Sequence, residues 1–310
     1  MDENTIISRI ETILPDKKNP DVVVGIGDDA AVVRWKDGLL LFTCDALVEG
    51  THFRREYFPL YNLGWKVMAA SASDIYSMGG VPKFALLSLG IPGGREKEID
   101  EIYRGVKDFS SRFQVMVVGG NLTFSSFLWI ESTVIGVAEE PILRRGAQEG
   151  DLIVVSGYPG EARAGRELLE KGIKGYTHLK EKFLKPSPRK EILKIVKEMQ
   201  VRAMIDISDG VGKDLKRILK ESRKGAFLKK DKFPISPALK DFSPEKAFHY
   251  FWGGGEDYEI LFTVPEGSHL PPSIEGVNLT VIGRITGNEG EIITPEGKLE
   301  AEGFDHFARV

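Results

Sequence analysis

Cysteine is almost absent: Cys44 is the only one in 310 residues. No internal disulfide can form, and a reducing compartment is the natural setting. The chain also lacks any uninterrupted apolar run approaching the ~18 residues of a membrane span. Its start, Met1-Asp2-Glu3-Asn4, is acidic and leads into an amphipathic stretch, without the basic start and apolar core of a signal peptide. A cytoplasmic protein is expected. Excess charge of one sign is missing too: 42 basic and 46 acidic side chains leave a formal net charge of −4. With no basic tract, neither nucleic acid nor a membrane surface is an expected partner. Asn and Gln are scarce while Lys and Glu are plentiful, as in heat-adapted proteins.

Familiar nucleotide-binding signatures are absent as well. There is no Gly-x4-Gly-Lys-Ser/Thr and no Gly-x-Gly-x-x-Gly. The five histidines fall into no triad or dyad pattern.

What is present is an ordinary globular composition, 42% hydrophobic and 28% charged. The length suits two domains of roughly 100–200 residues each. Short apolar runs predict strands at Val22–Val24, Ala31–Val33, Leu39–Phe42, Ala85–Leu87, Val115–Val118 and Leu128–Val137. Helical periodicity covers Leu60–Met78, stopped by Gly79-Gly80 and Pro82, and Glu96–Phe113. The polar, glycine-bearing stretch Pro141–Asp151 marks the expected boundary between a domain over 1–140 and one over 141–310. Beyond it, strands are expected at Leu152–Val155, Ala203–Ile207, Tyr258–Val264 and Leu279–Ile285, and helices at Glu161–Lys171, Arg189–Met199 and Val211–Lys220. Lys182–Arg189 and Phe233–Pro244 read as proline-bearing connections. The fold class is α+β, with two α/β domains.

The aspartates carry the chemistry. Asp28 and Asp29 follow Gly25-Ile26-Gly27, Asp45 ends the strand from Leu39, and Asp206 lies inside an apolar run that continues to Asp209-Gly210. Strand ends are where α/β-type sites collect polar groups. Asp74 falls on the apolar stripe Leu63, Val67, Ala70 and Met78, near the C-terminal end of its helix. An inward carboxylate there opposes the helix dipole and must be paired, protonated or bound to a cation. Singly, each aspartate is an ordinary turn or cap residue. Together, without matching histidines or thiols, they favour a hard cation held by oxygen, Mg²⁺, and hence phosphate chemistry. Two segments suit an anion: Gly119-Gly120-Asn121-Leu122-Thr123 after a strand, and Ser208-Asp209-Gly210 before a helix N-terminus.

Several segments resemble the thiamine-monophosphate kinase family: Gly25-Ile26-Gly27-Asp28-Asp29, Thr43-Cys44-Asp45 with Glu49-Gly50-Thr51-His52-Phe53, and Ser73-Asp74 before Gly79-Gly80. Gly119-Gly120-Asn121, Arg144-Arg145-Gly146-Ala147, Ile205–Gly210, Gly254-Gly255-Glu256-Asp257-Tyr258 and Gly303-Phe304-Asp305-His306-Phe307 extend the likeness in the family's order. The resemblance implies the aminoimidazole ribonucleotide synthetase-like fold, shared with selenophosphate synthetase and a hydrogenase-maturation protein. In that fold the N-terminal domains of a homodimer close a β-barrel, with ATP near the interface.

The resemblance also implies roles. Asp29, Asp45, Asp74, Asp206 and Asp209 would hold several Mg²⁺ ions, with Thr43, Cys44 and Asn121 beside them, and Asp74, Asp209 and Asp29 would be the catalytic carboxylates. Tyr103, Gly120, Asn121, Arg144 and Ser208 would contact ATP, while His52, Glu256 and Phe304 would contact thiamine monophosphate. Asn121 stands where many members have Asp, so that position loses a negative charge. Cys44 stands where Thr is usual. A thiol is a poor Mg²⁺ ligand, so a small buried hydrophobe is the reading for its side chain. Selenophosphate synthetase is disfavoured because Cys44 follows a strand core rather than lying in a glycine-rich N-terminal segment. The hydrogenase-maturation relative is disfavoured because the chain ends Ala308-Arg309-Val310 and not in cysteine. Three rivals remain: another ATP-using member of the superfamily acting on a different small phosphate or amide, against which His52, Glu256 and Phe304 discriminate; a non-catalytic nucleotide- or metal-binding regulator that has kept the fold; and a di-metal phosphohydrolase, which normally adds histidine ligands.

Overall fold

The computed structural model describes residues 3–14, 19–305 and 307. A first sheet is built from β1 (Val22–Val24), β2 (Ala31–Trp35), β3 (Gly38–Val48), β4 (Val81–Ile91), β5 (Met116–Phe124) and β6 (Trp129–Ala138). Its order is β1-β2-β3-β6-β4-β5, antiparallel except for the β4–β5 pair. Within one chain this sheet is open, with β1 and β5 as its edges. The helices of this half are α1 (Glu3–Ile13), α2 (Leu60–Ser77) and α3 (Ile99–Phe113).

The second half carries β7 (Leu152–Ser156), β8 (Ala203–Ile207), β9 (Gly225–Leu228), β10 (Glu259–Val264), β11 (Ser273–Ile274), β12 (Val277–Thr286), β13 (Ile292–Thr294) and β14 (Gly297–Lys298). They pair in the order β14-β13-β9-β12-β7-β10-β8, with β11 on β12. Its helices are α4 (Glu161–Glu170), α5 (Thr177–Leu184), α6 (Ile192–Glu198), α7 (Val211–Ser222), α8 (Pro237–Phe242) and α9 (Ala247–Gly253).

Helix α2 joins the two sheets. It packs against β3, β4 and β6 on one side and against β8 on the other, with α3 alongside. Only four of its 18 residues escape burial, so it behaves as a core helix rather than an amphipathic surface one. Small residues make this possible. A Cβ on Gly64 would lie 1.9 Å from the Ile102 carbonyl oxygen, and one on Gly105 would lie 1.9 Å from that of Tyr61. The two backbones therefore touch, and Trp65, Phe109 and Phe113 pack beside the crossing, with Trp65 edge-on to Phe109 at 5.3 Å. Gly105→Val would have to push α3 off α2. Chemical denaturation should show a loss of about 3 kcal/mol or more.

Several local expectations change. The glycine segment Gly119–Thr123 is not a loop: β5 runs straight through it beside β4. The strand from Leu39 does not end at Asp45 but continues to Val48, held by β6 along its whole length. Phe233–Pro244 contains α8, started by Ser236, whose hydroxyl accepts from the Leu239 N–H at 3.1 Å, and by Pro237 in the first turn. Helix α5 runs into the start of Lys182–Arg189, and α6 begins at Ile192 rather than Arg189. Among the described residues no helix is long and apolar enough to cross a membrane.

A buried ion pair fastens the second sheet to the loop before α6. The Glu259 side chain, 1% exposed, accepts from Arg189 Nε at 2.5 Å and from the Ser156 hydroxyl at 2.6 Å. Burial alone would raise the Glu259 pKa, but Arg189 and Lys182 outweigh it and hold it down at about 2. A carboxyl lowered from 4.5 to about 2 adds about 3 kcal/mol of stability at neutral pH. Because the folded value is depressed, that contribution is complete above pH 4.5 and is lost as pH falls toward 2. Thermal melts should show this acid-side loss in the native chain and a smaller one in Glu259→Gln.

Candidate active site

A cavity of about 980 Å³ opens where the two sheets meet around α2. Carboxylates from five separate segments converge on it. Asp29 comes from the loop before β2, Asp45 from β3, Asp74 from the last turns of α2, Asp206 from β8, and Asp209 from the turn before α7. Carboxylate oxygens of Asp29, Asp74 and Asp206 all lie within 4.8 Å of one another.

Hydroxyls of α2 hold this array. Ser71 donates to Asp45 Oδ2 at 3.0 Å, Ser73 to Asp206 Oδ2 at 2.8 Å, and Ser77 to Asp29 Oδ2 at 2.5 Å. Thr43 donates to Asp74 Oδ2 at 2.5 Å. Arg144 grips Asp29 Oδ1 from Nε at 3.0 Å and from Nη2 at 2.5 Å. Asp209 is held by Arg217 Nη2 at 2.6 Å and by Lys213 Nζ at 2.9 Å.

The electrostatics conflict with three free anions. Burial, followed by the charges of Asp45, Asp206 and Asp29, drives the Asp74 pKa well above the ordinary carboxylate value. Burial and then Asp29 do the same to Asp206, and burial raises Asp45. Such a set stays protonated or holds a cation. The donors are hard oxygens at short mutual spacing, with no thiolate or imidazole among Asp29, Asp74 and Asp206, and that set fits Mg²⁺. Four arginines also line the cavity, Arg144, Arg163, Arg166 and Arg217, a lining suited to anionic phosphates beside the carboxylates.

Most residues singled out from sequence meet here: Asp29, Cys44, Asp45, His52, Asp74, Arg144, Asp206, Ser208, Asp209, Glu256 and Phe304 all line the cavity. Thr43 joins them through Asp74. Cys44 is exposed rather than a buried hydrophobe: Thr43 and Asp45 reach toward α2, and alternation along β3 puts Cys44 on the other face of the sheet. Tyr103, Gly120 and Asn121 lie elsewhere, exposed on α3 and the edge strand β5, and they do not line the cavity of a single chain. His306 falls outside the described residues. The turn before α7 does not offer all its amides to a ligand, since Asp214 Oδ2 already accepts the N–H groups of Asp209 and Gly210 at 3.1 and 3.0 Å.

Sequence reading passed over Ser71, Ser77, Lys66, Arg163, Arg166, Asp214 and Arg217. Polar side chains on an otherwise core-facing α2 were the available signal for the first three. Arg163 and Arg166, three apart at the start of α4, share a helix face with nothing in the sequence to say that it borders a cavity.

The AIR synthase related protein N-terminal domain family matches residues 27–138. A thiamine-monophosphate kinase from Rhodopirellula baltica is 37% identical over 287 residues, covering 87% of this chain and 86% of its own. One from Aquifex aeolicus is 35% identical, covering 91% and 92%. The solved structure of AaThiL complexed with AMPPCP and TMP superposes with a TM-score of 0.90 at 34% identity, covering 99% of this chain and 97% of that one. Likeness of sequence and of fold thus extends over nearly the whole of both chains, and this protein belongs to the thiamine-monophosphate kinase family.

Proposed function

We propose that the protein transfers the terminal phosphoryl group of ATP to thiamine monophosphate, yielding thiamine diphosphate and ADP. The observation that carries this reading is the close array of Asp29, Asp74 and Asp206, the first and last buried and Asp74 half-buried, lining a cavity that four arginines also line, in a chain whose relatives bear that activity in their names. That AaThiL was solved with both AMPPCP and TMP supports a site that takes the two substrates together.

The acceptor is itself a phosphate, ionised at neutral pH, so its attack on the γ-phosphorus requires no general base. The main obstacle is repulsion between two anions brought into line. Asp29, Asp45, Asp74, Asp206 and Asp209 would hold Mg²⁺, which when bound neutralises charge on the phosphate oxygens. Arg144 keeps Asp29 in place, and Arg217 and Lys213 do so for Asp209. Ser208 and Arg144 face the nucleotide phosphates, and His52, Glu256 and Phe304 line the acceptor side. Phe304 offers an aromatic face to the cationic ring of the acceptor. Direct transfer without a phospho-enzyme follows, since the nucleophile is the substrate's own oxygen.

We further propose two functional units, 1–140 binding ATP and pairing with a second copy, and 141–310 behind it. Edge strand β5 leaves Met116, Val118, Leu122 and Phe124 exposed, and pairing through it would close a barrel between copies and bring Tyr103, Gly120 and Asn121 to an ATP site. A reducing cytoplasm suits the lone exposed Cys44.

The test is product analysis with purified protein, ATP, Mg²⁺ and thiamine monophosphate, with thiamine as a parallel acceptor. Equal amounts of ADP and thiamine diphosphate, formed only with the monophosphate and only with Mg²⁺, are expected. No product with either acceptor, despite measurable ATP binding, would sink the proposal.

A further inference from the structure

Lys66 is a lysine where a core helix has no evident use for one. It sits in the middle of α2 and is 1% exposed. Its Nζ lies 3.7 Å from the ring centroid of Phe183 and 5.6 Å from that of Phe58. Its ion-pair partner is Glu256 Oε1, 2.9 Å away on a loop of the other sheet, a charge-to-charge contact in which Nζ makes no hydrogen bond of regular geometry. Burying an ammonium is costly, and an apolar side chain of similar length would pack there at lower cost.

The partner is held in an unusual way. Glu256 and Tyr258 both adopt left-handed backbone conformations, with φ of 68° and 52°, which non-glycine residues seldom take up outside functional sites. The bend is fixed at its backbone: the Glu256 N–H donates to Ser208 O at 2.8 Å and the Tyr258 N–H to Ile207 O at 3.0 Å. Between them the Asp257 carboxylate accepts the Gly160 and Ala162 N–H groups at 2.6 and 2.9 Å, at the start of α4. These bonds orient the loop but leave the Glu256 side chain to its charged neighbours.

Those neighbours are Lys66 on Oε1 and Arg166, whose Nη1 is 3.7 Å from Oε2. Arg166 Nη2 also donates to Thr51 O at 3.3 Å, beside His52. Burial alone would raise the Glu256 pKa, but Lys66 and then Arg166 outweigh it and leave it below the ordinary value. Glu256 thus stands as an anion on the cavity wall, next to the segment that carries His52.

We propose that Lys66 is a positioning residue for the acceptor: from below the cavity wall it fixes one oxygen of Glu256, so that the carboxylate meets the cationic ring of thiamine monophosphate in one orientation. The inference rests on the reading of Glu256 as an acceptor contact. It adds a residue that touches no substrate and spans from α2 to the loop before β10.

Steady-state kinetics on Glu256→Gln, Lys66→Met and the double variant test it, with thermal melts alongside. Glu256→Gln is expected to raise KM for thiamine monophosphate by about tenfold or more and to leave KM for ATP unchanged. Lys66→Met is expected to raise the same KM by a similar factor with kcat nearly unchanged. A normal acceptor KM in Glu256→Gln would remove the reading of Glu256 itself. A raised KM in Glu256→Gln, with Lys66→Met lowering only the melting temperature, would overturn the role of Lys66 and leave Glu256 in place. If Lys66→Met does not fold, the double variant, free of any unpaired buried charge, decides. An acceptor KM equal to that of Glu256→Gln supports action through Glu256, and one far higher overturns it.

Discussion

Asp74→Asn is expected to lower turnover by about a thousandfold while leaving the chain folded and at least as heat-stable as before. The two halves of this result have one cause. Asp74 lies close to Asp29 and Asp206, at the C-terminal end of α2, and burial and its acidic neighbours push its pKa well up. A neutral amide removes the cost of burying a carboxyl whose ionisation its surroundings oppose, and it can still accept the Thr43 hydroxyl that bonds Asp74 Oδ2. The same change withdraws one carboxylate from the proposed cation site, so Mg²⁺ should raise the melting temperature of the native chain more than that of the variant. Kinetics and melts with and without Mg²⁺ check both halves. Near-normal turnover in the variant would falsify the carboxylate array as the site of cation-assisted transfer. The stability gain is the expected cost of function reversed, since a site built of mutually repelling groups is held together by the rest of the fold.

Leu122→Asp, on the edge strand, should convert the proposed homodimer to a monomer and lower kcat/KM for ATP by about a hundredfold or more. Leu122 is 60% exposed and neighbouring Phe124 is 76% exposed. A strand edge bearing such side chains is a template for pairing. Because Tyr103, Gly120 and Asn121 lie off the cavity in one chain, the ATP site proposed here depends on a second copy. Sedimentation velocity and ATP-dependent kinetics check it together. A variant that remains dimeric with full activity would place the interface elsewhere. One that is monomeric yet fully active would place the nucleotide wholly within the cavity.

Much of this site was legible in the residues. The acidic residues and glycine turns stand in a family-specific order, and Asp74 on an apolar stripe announced an inward carboxylate by helical periodicity alone. Strand and helix positions were largely readable for the same reason, since local apolar periods of two and 3.6 report which face is buried. Where reading failed, the deciding contacts were not local. The run through Gly119–Thr123 looks like a loop because glycines weaken strand propensity, yet pairing with β4 over eight residue pairs carries the strand through it. Residues 233–244 looked like a connection because of their prolines, yet Pro237 merely begins a helix that Ser236 caps.

The sequence by itself determined the family and the set of carboxylates, because residue identity and order state which chemistry is available. Only the tertiary structure decided which of them meet. Asp29 and Asp206 are 177 positions apart, and their oxygens come within 4.8 Å only because α2 is sandwiched between the two sheets. Which carboxylate each serine of α2 orients, that Arg163, Arg166 and Arg217 border the cavity, and that Lys66 lies under Glu256 could not be read in advance. A side chain's partner depends on packing between distant segments, on which local periodicity carries no information.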